Sequence, residues 1–223
     1  MTRIEIEKIS PQDIIDLMHR REKQDIDLVT RAFEFAKETH EGVEQISGEP
    51  YFLHLYATAK ILAEINSSSL TIAAGLLHGA LESPEITAEI LKKEFGEEIV
   101  FLIERVTELR KLKYHGVKKH KEGLRKLFVA MSQDIRVIVI KLAHRLSSMS
   151  VLNFYPENEQ KEIAEETLEI FAPIANRLGI GRLKKQLEDS AFPYVLPEEY
   201  KKVKELIKHR GHDSQKKLEK VYI

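Results

Sequence analysis

Apolar residues recur at helical spacing along almost the whole chain, whereas the alternation typical of strands is nearly absent. The spacing predicts a first helix after Pro11 and a second helix capped by Asp27. Ser83-Pro84 interrupts the pattern, because the residue before a proline disfavours the helical conformation. Further helices are predicted on both sides of this break, over residues 52–65, 70–82, 87–95 and 97–109.

The second half of the chain follows the same period. Its one β-like run, Arg136-Val-Ile-Val-Ile140, follows Asp134, a suitable N-cap, so we predict a buried helix there rather than a strand. A long helix over 157–177 contains Pro173, which should kink it or remove one backbone hydrogen bond. The pattern therefore predicts an all-α fold, with 1–195 as one domain and 196–223 as a C-terminal helical arm.

Composition narrows the class of protein. The 223 residues are 43% hydrophobic and 32% charged, a globular mixture for which we expect a cytoplasmic location. The absence of cysteine excludes disulfides and thiolate metal ligands. No apolar run approaches the length of a membrane span, and the first residues do not form a signal peptide.

Charge argues against nucleic acid as the partner. The net charge of −1 gives no global basic field. Residues 110–126 carry eight Lys or Arg and one Glu, and we predict a mobile basic loop there. No aromatic residues are interleaved with those charges as base stacking requires, so a solvated surface is the favoured interpretation.

Three histidines, far apart in sequence, each lie in an apolar helical run: His54, His78 and His144. Three imidazoles and a water form a well-known open zinc arrangement, for which Glu82 is a candidate general base. The alternative is that neighbouring backbone satisfies the imidazole of His144 and no ion is bound. The other six histidines lie in polar contexts and are predicted at the surface: His19, His40, His115, His120, His209 and His212.

The run Ser47-Gly-Glu-Pro-Tyr-Phe-Leu-His54 resembles the hydrolase domain of RelA/SpoT proteins. Further matching stretches lie at 72–78, 94–100, 134–143, 166–180 and 187–192, so that the resemblance covers roughly residues 25 to 205. It implies an HD-domain helical bundle of ten to twelve helices. It also implies removal of the 3′-pyrophosphate of the alarmone (p)ppGpp with manganese, a reaction of the stringent response. Full-length members of that family carry a synthetase domain, which this sequence is not expected to contain.

The resemblance also exposes departures at the implied metal centre. A metal polarises the phosphoryl oxygen in such hydrolysis, and manganese favours mixed imidazole and carboxylate ligands. The family pattern implies metal ligands at positions 54, 78, 79 and 144, and a water-activating acidic couple at 82 and 83. This chain keeps His54, His78 and Glu82, but has Gly79, Ser83 and His144 at the other positions. The candidates are thus His54, His78 and His144 for metal, Glu82 as a catalytic remnant, and Ser83 in place of an acid.

The implied nucleotide side is altered as well. Candidate substrate-binding residues are Ser47, Lys141, Arg145 and Ser148, while Glu44 places negative charge where the family connector is basic. Two hypotheses remain. The first is an inactive pseudo-hydrolase with no cofactor that binds a (p)ppGpp-type nucleotide or regulates a protein partner or a missing synthetase domain. The second is an active metal-dependent pyrophosphohydrolase with a three-histidine site, for which zinc is the expected ion.

Overall fold

The computed structural model describes residues 9–110, 125, 127, 129 and 132–207. Ten α-helices have complete bounds in it, and residues 197–207 are also helical. We name the ten in chain order: α1 Gln12–Ile15, α2 Lys23–Thr39, α3 Tyr51–Glu64, α4 Ser69–Leu77, α5 Ala88–Phe95, α6 Glu97–Arg110, α7 Ile135–Met149, α8 Glu157–Glu166, α9 Ala172–Arg177 and α10 Gly181–Val195. No β-strand occurs in these described ranges, which confirms the predicted all-α fold.

Two predicted helix boundaries were wrong. The helix predicted over 70–82 ends at Leu77, and a separate 3₁₀ turn spans Ala80–Glu82. The second helix begins at Lys23 rather than after Asp27, with Glu22 as its extended N-cap residue. Arg20 pairs with Glu22 just before the helix, and Asp25 accepts a hydrogen bond from Ser69 at the start of α4. Tertiary pairing therefore fixes the start of α2 one turn earlier than local capping chemistry suggested. Most of the basic stretch 110–126 lies outside the described residues.

The connector between α2 and α3 folds back on itself. The amide of Tyr51 donates to the carbonyl of Val43 (2.8 Å) and that of Gln45 donates to the carbonyl of Glu49 (2.7 Å). Gly48 supplies the turn with a φ of +77°, a conformation that favours glycine. Because the connector closes in this way, its residues 44–46 lie beside the start of α3.

Helix α4 lies in the middle of the bundle and packs on α2, α3, α6 and α7. The hydroxyl of Ser68 caps it by accepting from the amide of Thr71, and every residue over 71–77 is buried. The helix ends at His78, which is fully buried. A helix that is apolar on all sides is typical of a protein core. Here it places the imidazole of His78 inside that core.

The buried helix predicted at the run Arg136-Val-Ile-Val-Ile140 is confirmed within α7, with Asp134 as its N-cap. The chain over 157–177 is helical too, but the residues Thr167–Phe171 form a π-helical segment between α8 and α9. Pro173 follows directly and has no N–H to continue the α-helical ladder, so the predicted local disruption takes the form of a widened turn. Helix α10 packs across α7, α8 and α9 and closes this side of the bundle.

Candidate metal centre

Three helices bring His54, His78 and His144 together. His54 lies on α3, His78 follows α4, and His144 lies on α7. Their ring centroids are 4.8 to 5.4 Å apart, and one ring nitrogen from each lies within 4.8 Å of the other two. His54 and His78 are buried and His144 is half-buried. The residues predicted as metal ligands therefore form one cluster, whose donor atoms are all imidazole nitrogens.

Hydrogen bonds fix the orientation of two of these rings. Nδ1 of His78 lies 2.7 Å from the carbonyl oxygen of Gly75, which can only accept, so Nδ1 carries the proton. Oγ of Ser147 lies 3.1 Å from the backbone carbonyl of His54 and 2.9 Å from Nδ1 of the same residue. The hydroxyl has one proton and can donate to only one of these two atoms, so Ser147 holds the ring of His54 at Nδ1 whichever of the two groups is the donor. In His78, Nε2 is therefore the nitrogen with a lone pair.

Gly79, at a position where the resemblance implies an aspartate ligand, is closely surrounded. A Cβ added at Gly79 would lie 2.9 Å from Cε1 of Tyr51 and 3.1 Å from Nε2 of His40. The φ of Gly79 is −92°, so glycine is needed there for space and not for backbone conformation. Any side chain at position 79 therefore requires the ring of Tyr51 to shift.

His40 does not lie at the surface, so that prediction was wrong. It is 5% exposed, and its Nδ1 donates to the carbonyl of Ala36 (2.9 Å). Its ring lies 5.2 Å from that of Tyr51, which in turn lies 5.5 Å from His54. The polar sequence around His40 concealed this burial, which arises because the connector folds back over the end of α2.

A cleft of about 300 Å³ opens beside the histidine cluster and is lined by His54, His144, Ser148, Glu44 and two tyrosines, Tyr51 and Tyr155, among others. A second cleft, of about 220 Å³, adjoins His54 and Ser147 and includes Glu49. Of the described residues that line either cleft, none is a lysine or an arginine. The charged groups of both linings are therefore carboxylates, apart from any protonated histidine.

The predicted residues Glu82, Ser83 and Ser47 are not part of the group of three histidines. Glu82 is exposed at the end of the 3₁₀ turn Ala80–Glu82, and Ser83 follows it. Ser47 accepts from the amide of Glu49 within the connector (3.3 Å), which is a turn-forming contact. Their catalytic and substrate-binding roles stay predictions.

Two predicted substrate-binding residues of α7, Lys141 and Arg145, are buried. The guanidinium of Arg145 lies 2.9 Å from Glu166 and 4.3 Å from the centroid of the Phe171 ring. Arg145 is thereby committed to a buried ion pair and a cation–π contact at the π-helical segment.

Sequence reasoning missed the contact between Ser147 and the His54 ring. The signal was available, because Ser147 lies three residues after His144 and so shares its face of a helix. The part played by Tyr51 at Gly79 had no comparable signal, since the two residues belong to different helical elements that meet only in the folded chain.

Comparison with known proteins agrees with this architecture. Residues 32–181 match the HD-domain family model, so the chain is an HD-domain protein. It belongs to the RelA/SpoT branch of that family, as its relatives show. It is 43% identical over 195 residues to a probable guanosine-3′,5′-bis(diphosphate) 3′-pyrophosphohydrolase of Synechocystis, covering 87% of this chain and 26% of the relative. The resemblance described from the sequence is thereby confirmed.

Two further relatives carry two different named activities. A guanosine-3′,5′-bis(diphosphate) 3′-pyrophosphohydrolase of Aquifex aeolicus is 40% identical over 216 residues, 97% of this chain and 31% of the relative. A GTP pyrophosphokinase of Myxococcus xanthus is 39% identical over 199 residues, 87% of this chain and 26% of the relative. The chain thus spans only about a quarter to a third of these relatives. Within the described residues, no helix has the length and apolar character needed to cross a bilayer.

Proposed function

We propose that this chain is a RelA/SpoT-type hydrolase domain that has lost manganese-dependent (p)ppGpp 3′-pyrophosphohydrolase activity and keeps a binding or regulatory role in alarmone metabolism. The observation that carries the proposal is the donor set of the centre. It offers three imidazoles, with glycine and serine at positions 79 and 83. Manganese prefers oxygen-rich or mixed ligand shells, so this set suits it poorly.

The packing around Gly79 supports the same conclusion. With Cε1 of Tyr51 only 2.9 Å from where a Cβ would lie, a side chain enters this position only if Tyr51 moves. The absence of the ligand is thus accompanied by close packing at its Cβ. A vacated ligand position that its neighbours have closed is expected of a centre that is no longer maintained for the original ion.

The charge of the clefts gives independent support. A guanosine nucleotide with four or five phosphates carries high negative charge, and like charges near one another are unfavourable. Glu44 and Glu49 line the described clefts, and no described lining residue is a cation. Binding of an intact alarmone for turnover is therefore disfavoured on this side of the histidines.

The test is incubation of the metal-free protein with ppGpp and manganese, with release of pyrophosphate as the measured product. A RelA/SpoT hydrolase with the complete ligand set serves as positive control, and this chain without metal as blank. We expect no release above the blank. Manganese-dependent pyrophosphate release by the wild-type chain overturns the proposal.

A second candidate is favoured by the convergence of the three rings. In it, the domain hydrolyses a related nucleotide with zinc, the ion that an N₃ donor set suits, and Glu82 acts as general base. This candidate requires zinc-dependent turnover that both His144→Ala and Glu82→Gln abolish. The exposed position of Glu82, one turn beyond His78, makes Glu82→Gln a substitution with little effect on folding.

A further inference from the structure

The hydroxyl of Ser147 makes two contacts with a single residue of another helix. Its Oγ lies 3.1 Å from the backbone carbonyl of His54 and 2.9 Å from Nδ1 of its ring. Ser147 is only 4% exposed, so water does not compete freely for these bonds. The ring of His54 is consequently held in one orientation by a residue that lies three positions from His144.

His78 is held in the equivalent way by a backbone group. Its Nδ1–H donates to the carbonyl of Gly75 within the same buried helix. Histidines that ligate metals commonly donate their second N–H to a carbonyl or other acceptor, which fixes the tautomer and increases the basicity of the ligating nitrogen. Two of the three clustered rings therefore have beside Nδ1 an oxygen that can accept the outer hydrogen bond of a metal-ligating histidine.

We propose that Ser147 is the positioning residue of a zinc-type metal site formed by the Nε2 atoms of His54 and His78 together with a ring nitrogen of His144. This inference rests on one part of the proposed function, namely that the centre has lost its manganese-dependent activity. It assigns the ion class, Zn²⁺ or Co²⁺, and a residue that prepares the site without touching the ion.

The spacing of the rings is compatible with such an ion. Nitrogens that share a tetrahedral zinc at about 2.0–2.1 Å lie roughly 3.4 Å apart. The ring nitrogens here lie within 4.8 Å of one another, so the rings close by about 1 Å or slightly more on binding. Three neutral imidazoles with an open fourth position match the ligand preference of zinc and cobalt better than that of manganese.

The experiment titrates chelator-treated protein with Co²⁺ and follows the visible absorption of four-coordinate cobalt, then displaces cobalt with Zn²⁺. No nucleotide is present, so the result is independent of any hydrolysis assay. We expect one ion per chain, displacement by zinc, and no displacement by an equal concentration of Mn²⁺. Absence of cobalt binding, or equal competition by manganese, overturns the assigned ion class.

Ser147→Ala tests the positioning role, with an expected loss of about 10–100-fold in Zn²⁺ affinity. Ser190→Ala on α10 is the matched control, since its Oγ likewise donates to a backbone carbonyl of its own helix, that of Leu187 (2.9 Å), and we expect wild-type affinity. Should Ser147→Ala not fold, the near-isosteric pair Ser147→Thr and Ser147→Val isolates the hydroxyl, and only the threonine variant should bind as wild type does.

A second measurement distinguishes a purely structural role of Ser147 from the proposed positioning of the His54 ring. Nitrogen NMR of the metal-free protein reports which nitrogen of His54 carries the proton. We expect the Nδ1–H form in the wild type and a mixture of both forms in Ser147→Ala. Unchanged zinc affinity in a folded variant without the hydroxyl, or an unchanged tautomer, overturns the positioning role even if the wild type binds zinc.

Discussion

Gly79 adopts an ordinary backbone conformation, so its requirement for glycine comes from the space around it. A Cβ there meets the ring of Tyr51 at 2.9 Å and His40 at 3.1 Å, both held within the folded connector and the start of α3. Tyr51 is half-buried and flanked by two histidine rings, so it cannot swing away without disturbing them. A side chain at Gly79 would therefore disturb Tyr51 and, through it, the rings of His40 and His54.

Gly79→Ala should therefore destabilise the domain by about 1–3 kcal/mol, the usual result of overpacking a filled site. Urea unfolding followed by circular dichroism measures the change. Gly181→Ala is the control, because a Cβ at Gly181 meets nothing within 4 Å and the φ there is not positive, so its stability should be near or slightly above wild type. Equal effects of the two substitutions would contradict the packing argument.

For single residues, the sequence predicted which side chains are candidate ligands better than it predicted what those side chains contact. The three clustered histidines were predicted as candidate ligands because each lies in an apolar run. The burial of His40 and the contact of Ser147 with His54 were not predicted, because each depends on a partner distant in sequence or on the fold of a connector. Local polarity describes the neighbours along the chain, whereas burial depends on elements that arrive from elsewhere.

Helix α7 carries His144 and Ser147, and its start is fixed by Asp134. One carboxylate oxygen accepts from the amide of Arg136 (2.8 Å), and the guanidinium of Arg136 binds both Asp134 and Glu98 of α6. Hydrogen bonds from the Arg136 side chain hold the pKa of Asp134 below its ordinary value. Asp134 therefore caps the start of α7, and through Arg136 it is also linked to Glu98 of α6.

Asp134→Ala should cost about 1 kcal/mol of unfolding free energy at neutral pH, as loss of an N-cap does. Asp134→Asn keeps the capping oxygen but loses the charge, so it isolates the ion pair. Because the folded pKa is depressed, the charge contribution is present above the ordinary aspartate pKa and disappears as the pH falls through the lower folded value. Unfolding curves of wild type and Asp134→Asn should thus converge in acid. Divergence of the two curves in acid would refute this account.

The end of α8 and α7 are joined by the buried pair of Arg145 and Glu166. Their side chains are 11% and 7% exposed, so either charge left alone would be poorly hydrated. Glu166→Gln should destabilise the domain by about 3–5 kcal/mol, measured by chemical unfolding. Replacement of both partners, Arg145→Met with Glu166→Leu, should cost much less than the single change. A single substitution as mild as the double one would show that the pair is not effectively buried.

Helix existence was predictable from periodicity, while two boundaries required tertiary information. The start of α2 depends on the bonds of Asp25 and Arg20, which local capping rules cannot anticipate. The disruption near Pro173 was predictable from the missing N–H, but its form as a π-helical segment also involves Glu166 and Phe171, which hold Arg145. Long-range partners thus select one of several local solutions that the sequence allows.

For the whole molecule, the charge around the histidines decides which ligands can approach. The connector places the carboxylate of Glu44 in the lining of the larger cleft, beside His54 and His144. No lysine or arginine is among the described residues of that lining. A carboxylate there repels a polyphosphate through solvent that screens only beyond about 8 Å at physiological salt. The repulsion acts on every phosphorylated ligand, whatever its base.

Glu44→Lys should therefore strengthen binding of ppGpp by about tenfold, equivalent to about 1.4 kcal/mol, as measured by calorimetry without metal. Glu41→Lys is the matched control: it makes the same change of net charge on the same connector, at an exposed residue outside both described cleft linings. Since the effect is electrostatic, the gain should shrink as salt is raised. Equal gains in the two variants would show that overall charge, and not the charge of the cleft, controls access to the centre.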